Sequence, residues 1–344
     1  MTDRKPYSCT AAVTLLVLVF SGTANARGRH LHGICCGEPR QVHLVGADDL
    51  LPWLPPDTET LLVTNGPFTL TNRPPERGRF LERVIEQLSI AKLYFGDVLH
   101  PKELLGQTVR LAIEGSRRFR PPRDIGELHY EGCEIVVFEE SAGTLVRAAM
   151  QSLQSRADRR TQLGGIAVAC FQNQEHQDTW PVYFAQPEPN ILLCATHEGY
   201  LKEVLGRMRG TVTGRALPPD LAEWKHVDTG ARAWGIRHYS RTESAGDPTS
   251  PLHGQAAANL PDSDAIGFTF SCNPNQASAH LCYLTRASDR TSVGGWAGSE
   301  DGLAFQSRLV EPGVVKISIA VEKEEAAAQF ILLLLARLGH AVFI

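Results

Sequence analysis

The densest run of side chains suited to acid–base work is Glu223-Trp224-Lys225-His226-Val227-Asp228, followed at short range by Trp234, Arg237, His238 and Tyr239. His226 and Asp228 are the residue types of a general base and the group that orients it, and Arg237 carries the planar fork that holds an anion. The chemistry such a set would perform is hydrolysis. On a strand, however, Trp234, Ile236 and His238 fall on one face and Arg237 and Tyr239 on the other. Aromatic packing around a hydrogen-bonded histidine accounts for the same residues, and no nucleophile stands in a recognisable setting nearby. The chain contains no Gly-x-Ser-x-Gly elbow, phosphate-binding loop or dinucleotide fingerprint. His197-Glu198 begins like a zinc-protease helix, but Leu201 occupies the place of the second histidine.

A second group, His30, His32, Cys35 and Cys36, offers two imidazoles and two thiols, ligands suited to zinc or copper. Adjacent cysteines fit poorly at neighbouring corners of an unstrained tetrahedral site, and no core surrounds them to hold supporting hydrogen bonds. A loose arm with reactive thiols is the competing expectation, and the chain is expected to carry no resident cofactor. Cys272 and Cys282 lie at equal distances from Ala277, within the turn-like Asn273-Pro274-Asn275-Gln276-Ala277. If 266–271 and 279–285 form a hairpin, that symmetry puts the two thiols opposite each other as a disulfide candidate; two buried, unbonded cysteines are the alternative.

The elements that must position these groups are legible from periodicity. Residues 76–95 place Phe80, Leu81, Val84, Ile85, Leu88 and Ala91 on one helical stripe. Val109, Leu111 and Ile113 alternate with Arg110, Ala112 and Glu114, which predicts a strand with one wet face. A strand at 134–139, a helix at 144–154 and an antiparallel meander over 166–171, 180–185 and 191–195 follow. The next helix gathers Tyr200, Leu201, Val204, Leu205 and Met208, with Thr196 as its expected N-cap. Gly214, Pro218 and Pro219 punctuate the chain before a second run of strands at 231–239, 304–310 and 314–321 and a closing helix at 323–338. The predicted architecture is α+β, in two modules of antiparallel sheet each covered by helices on one face. Module 1 spans 49–212 and module 2 spans 222–344, after a flexible N-terminal arm at 27–48.

The first residues have a different grammar: basic Arg4 and Lys5, an apolar run from Ala11 to Phe20, then Ala24-Asn25-Ala26. This is the order of a cleavable signal peptide over 1–26, and an apolar run of about ten residues falls well short of the roughly 20 that span a bilayer. Export to the periplasm or beyond is expected, with no stable membrane insertion after cleavage. The net charge of −4 becomes −5 once Asp3, Arg4 and Lys5 leave, a balance with no basic stripe for nucleic acid. Loss of Cys9 leaves seven of the eight cysteines, so at least one stays outside any intramolecular pair.

Leu54-Pro55-Pro56-Asp57-Thr58 leading into Leu61-Leu62-Val63, the helix from Tyr200 to Met208, and Glu223 to Asp228 with Ile236-Arg237-His238-Tyr239 together resemble a group of uncharacterised exported bacterial proteins. The resemblance implies export and α+β architecture and adds no site residues. The expected role is binding of a protein or small-molecule ligand by a non-catalytic module. The alternatives are a hydrolase using His226 and Asp228, and a metal-handling protein using the arm. Intact-mass measurement of the secreted chain is expected to show a first residue of Arg27; a mass that includes Met1 would remove the export reading.

Overall fold

The computed structural model describes residues 46–70, 102–119, 129–172, 181–210, 214–238, 265–273, 278–285, 297–300 and 303–321. The expected helices at 76–95 and 323–338 and the His30/His32/Cys35/Cys36 group lie outside the described residues.

Two 3-10 turns, Ala47–Asp49 and Leu51–Trp53, lead into strand β1 (Thr60–Thr69). Strands β2 (Thr108–Phe119) and β3 (His129–Phe138) follow, then helix α1 (Gly143–Arg156). Next come β4 (Arg159–Leu163), β5 (Ile166–Phe171), β6 (Val182–Glu188), β7 (Ile191–Ala195) and helix α2 (Glu198–Met208). The remaining strands are β8 (Ala233–His238), β9 (Ala265–Asn273), β10 (Ser278–Thr285), β11 (Ala297–Glu300), β12 (Leu303–Glu311) and β13 (Val314–Val321). Among the described residues these strands make one sheet in the order β11-β12-β13-β10-β9-β8-β1-β2-β3-β7-β6-β5-β4. Each pairing is antiparallel.

This corrects the expected architecture of two sheet modules. Strand β1 pairs with β2 on one edge and with β8 on the other, so Leu62 lies opposite both Glu114 and Gly235. A second sheet would have left the β1 edge to be covered in some other way; β8 instead satisfies its backbone donors and acceptors directly.

The helices also divide differently from the expectation of one covered face per sheet. Val146, Ala149, Met150 and Leu153 of α1 pack with Val136, Phe184, Ala169 and Cys194. Tyr200, Leu201, Val204 and Leu205 of α2 pack with Ile135, Leu193, Val168 and Tyr183. Residues of opposite parity on the same strands thus face opposite helices, and this part of the sheet is a middle layer with apolar residues on both sides. The expected wet face of β2 is therefore absent: Ala112 is 1% and Glu114 7% exposed. The regular alternation also breaks, because Val109 lies opposite Phe138 and Leu111 opposite Val137, leaving Arg110 as an extra residue in a bulge. Val109 consequently joins the α1 side, whereas Leu111 and Ile113 join the α2 side.

Helix α2 begins one residue later than its expected cap. The His197 ring accepts the Gly199 N–H at 3.2 Å, while Thr196 Oγ1 accepts the Gly132 N–H at 3.1 Å and ties the helix start to β3.

The junction of the two halves is tightest at Gly235. A Cβ there would collide with the Phe270 ring and lie 2.7 Å from the Leu61 carbonyl oxygen. Gly235→Ala is expected to cost about 1–3 kcal/mol through forced displacement of a packed aromatic and of backbone. Urea denaturation checks this, and a change below about 0.5 kcal/mol would contradict the close approach of β8 to its neighbours.

Candidate functional site

The segment from Leu221 to Arg232 crosses the α2 side of β8 and β9, held by backbone and side-chain bonds to both. A 3-10 turn at Ala222–Lys225 sets Glu223 beneath His238. Glu223 is 1% exposed, and its Oε1 lies 2.7 Å from His238 Nδ1. Gly267 on β9 leaves the space the Glu223 carboxyl occupies, because a Cβ there would overlap it. Trp224 sits edge-on to Trp234 with ring centroids 6.0 Å apart, donates its indole N–H to Pro218 O at 2.9 Å, and lies under the Arg215 guanidinium. Further along, Thr269 Oγ1 donates to His226 O and the Asp228 N–H donates to Ser271 Oγ at 2.8 Å.

The four residues expected to combine in acid–base chemistry do not converge. His226 Nε2 reaches across to Glu311 Oε1 at 2.8 Å, at the end of β12. Asp228 Oδ1 accepts the Gly230 N–H at 3.0 Å, closing a turn within its own loop. His238 faces Glu223 on the α2 side of the sheet, while Arg237, 6% exposed, lies opposite Thr60 on the other side. The alternation read from the strand thus separates Arg237 from His238, and the loop gives His226 and Asp228 different partners.

The expected cross-strand disulfide also fails on register. Cys272 stands opposite Ala279, and Cys282 opposite Thr269. Thr269 and Cys272 are three residues apart, so the two thiols point to opposite faces of the sheet. They are also offset by about 10 Å along the strands, beyond the roughly 7 Å Cα separation a disulfide tolerates. Both are buried free cysteines, and burial pushes the Cys272 thiol up to about 12.

Two charged assemblies escaped the sequence reading. On the α2 side, Arg117 Nε donates to Glu131 Oε1 at 2.6 Å, and its NH1 group donates to both oxygens of Asp57 at 2.6 and 2.7 Å. Burial opposes the guanidinium charge, but the Asp57 and Glu131 carboxylates outweigh it and hold Arg117 above the ordinary arginine value. His197 Nδ1 lies 2.9 Å from Glu131 Oε2, and Arg117 stacks over Tyr200, whose hydroxyl meets Thr58 Oγ1 at 2.9 Å. The network fastens the 54–58 segment, β2, β3 and α2 at one corner. On the α1 side, Glu114 and Glu134 occupy directly opposite positions on β2 and β3, at 7% and 1% exposure, with Arg237 on the same face. Neither assembly is a continuous sequence motif, because its members come from several strands and loops.

A third set of polar residues lies on the α2 side of β9, β10, β13 and β12, buried at β9 and open to solvent at β12. Register aligns Ser271, His280, Ser318 and Gln306 in one row across the strands and Thr269, Cys282, Lys316 and Arg308 in the next. Among the described residues no group of three or more His, Cys, Asp or Glu side chains is arranged to hold a metal ion. No described helix is long and apolar enough to cross a membrane.

No family model matches this chain, and no curated protein matches it in sequence. Solved structures of TP0453 are similar to it at a distance. Crystal form I is 11% identical with a TM-score of 0.43, covering 83% of this chain and 97% of that one. Crystal form IV is 12% identical with a TM-score of 0.44, covering 82% and 96%. Likeness at this level assigns no role.

Separate partners for His226 and Asp228 have an energetic signature. In a double-mutant cycle, His226→Gln and Asp228→Asn are expected to add within about 0.5 kcal/mol. A coupling above about 1 kcal/mol would return the two to a single acid–base pair.

Proposed function

We propose that this chain is an exported protein that works by binding a partner or ligand and not by catalysis. The observation that carries the reading is the dispersal of the one residue set with catalytic composition. His226 is engaged with Glu311, Asp228 with its own turn and His238 with Glu223, and Arg237 lies on the far side of the sheet. The sequence suggested a base and its orienting group in His226 and Asp228, and each of the two has a different partner instead. Export is supported by the order of basic, apolar and small residues over 1–26.

The experiment is a turnover assay of the purified mature chain against a broad panel of ester, amide, glycoside and phosphoester substrates, run beside His226→Ala. The expected outcome is no turnover above the buffer rate and no difference between the two proteins. A rate that saturates with substrate and disappears in His226→Ala would replace the binding reading with the hydrolase.

A further inference from the structure

We propose that the polar face of β10, β13 and β12 is a binding site for a small oxyanion, a phosphate or phosphomonoester group, held by Arg308 and Lys316 beside His280 and Ser318. The proposal rests on the binding reading above and names its ligand class. Its starting point is a pairing that the fold itself does not need. Arg308 and Lys316 stand directly opposite each other on β12 and β13, with Cα atoms about 5 Å apart, and like charges in that position destabilise a sheet. No ion pair or hydrogen bond satisfies either side chain among the described residues. Two nearby carboxylates are already engaged: Glu311 with His226, and Asp228 with the Gly230 N–H. Arg308 is exposed and Lys316 half-buried, so the two cations open to solvent and not into the core.

The neighbours have the donors that an oxyanion needs. Two residues along β10 and β13 from the cation row, His280 Nδ1 and Ser318 Oγ lie 3.2 Å apart, and Gln306 is the exposed cross-strand neighbour of Ser318. Two strand spacings of about 4.8 Å and a two-residue rise near 7 Å spread the backbone positions over about 10 by 7 Å, a span that the long Arg308 and Lys316 side chains can close around one tetrahedral anion. Arg supplies a fork for two oxygens, Lys a point charge, and Ser and His single donors. The opposite face of β10 and β13 carries Leu281, Ile317 and Ile319, all nearly fully buried, so the groups that reach solvent are Lys316, Ser318, Gln306 and Arg308 on the polar face.

His280 reports on the site. Burial holds its pKa below the ordinary histidine value, Lys316 and Arg308 push it further down, and Asp228 pulls against them. The imidazole is therefore held toward its neutral form. An anion between the cations cancels their repulsion, so binding raises the His280 pKa, and by linkage affinity for the anion increases as pH falls through that titration.

The test is an NMR titration of the histidine ring signals of the full mature chain, with the His280 signal assigned by its loss in His280→Asn. Inorganic phosphate is compared with chloride at matched ionic strength, which removes general screening. The expected result is saturable binding of phosphate with an upward shift of the His280 titration, and an affinity loss of about fivefold or more in each of Arg308→Gln and Lys316→Gln. Both side chains reach solvent, and equal thermal midpoints confirm that the variants fold. Glycerol phosphate and phosphatidylcholine vesicles with and without phosphatidic acid form further arms. Binding to acidic vesicles alone, lost in the double variant, supports the site and assigns its oxyanion to a lipid headgroup. Phosphate behaving as chloride in every arm, or binding undiminished in the Arg308→Gln/Lys316→Gln variant, overturns the proposal. That failure leaves the non-catalytic reading intact, whereas turnover dependent on His226 removes the latter whatever phosphate does.

Discussion

Strand β1 must satisfy hydrogen bonds on both edges while its side chains are covered on both faces, and the rest of the molecule is arranged around that requirement. Its partners are β2, some fifty residues on, and β8, far later in the chain, so neither edge is closed by local folding. Once both ladders form, Leu61 and Val63 join the core under α2 and the leading 3-10 turns, while Leu62 turns to the other side. Gly235 exists within this constraint: it is the one residue type that lets the Phe270 ring and the Leu61 carbonyl approach together.

Burial on both faces alters the meaning of each charged residue in the central strands. A glutamate at alternating spacing reads as a solvent-facing group, yet Glu114 and Glu134 face each other nearly sealed from water. A buried carboxylate is costly in a low-dielectric layer, and Arg237 on the same face supplies charge of the opposite sign. Arg237 thus belongs to a structural layer. The outer half of the sheet is built otherwise: β10 and β13 bury Leu281, Ile317 and Ile319 on one face, while the other grades from buried Thr269, Ser271 and Cys282 to half-buried His280, Lys316 and Ser318 and exposed Gln306 and Arg308.

The corner formed by Arg117, Glu131, Asp57 and His197 performs the corresponding task on the α2 side. A guanidinium bound to two carboxylates ties together segments that share no local sequence relation, and the Tyr200 ring beneath it shields one flank. These contacts orient α2 on the sheet. Together with the Glu223–His238 pair they make several of the functional-looking described residues fasteners between layers.

Local periodicity was enough to place β2, β3, the β5-β6-β7 meander, both described helices, the β9–β10 hairpin and β13, because a two- or 3.6-residue repeat of apolar side chains is a property of adjacent residues. It also separated Arg237 from His238, since strand parity is local. Register, by contrast, depends on which residues meet across strands, and symmetry of sequence about Ala277 misjudged it: the pairing of Cys272 with Ala279 turned the two thiols to opposite faces. The bulge at Arg110, the burial of Glu114 and the joining of the halves through β1 and β8 were likewise decided only in three dimensions. Each arises from contacts between residues distant along the chain, whose energies no short window of sequence contains.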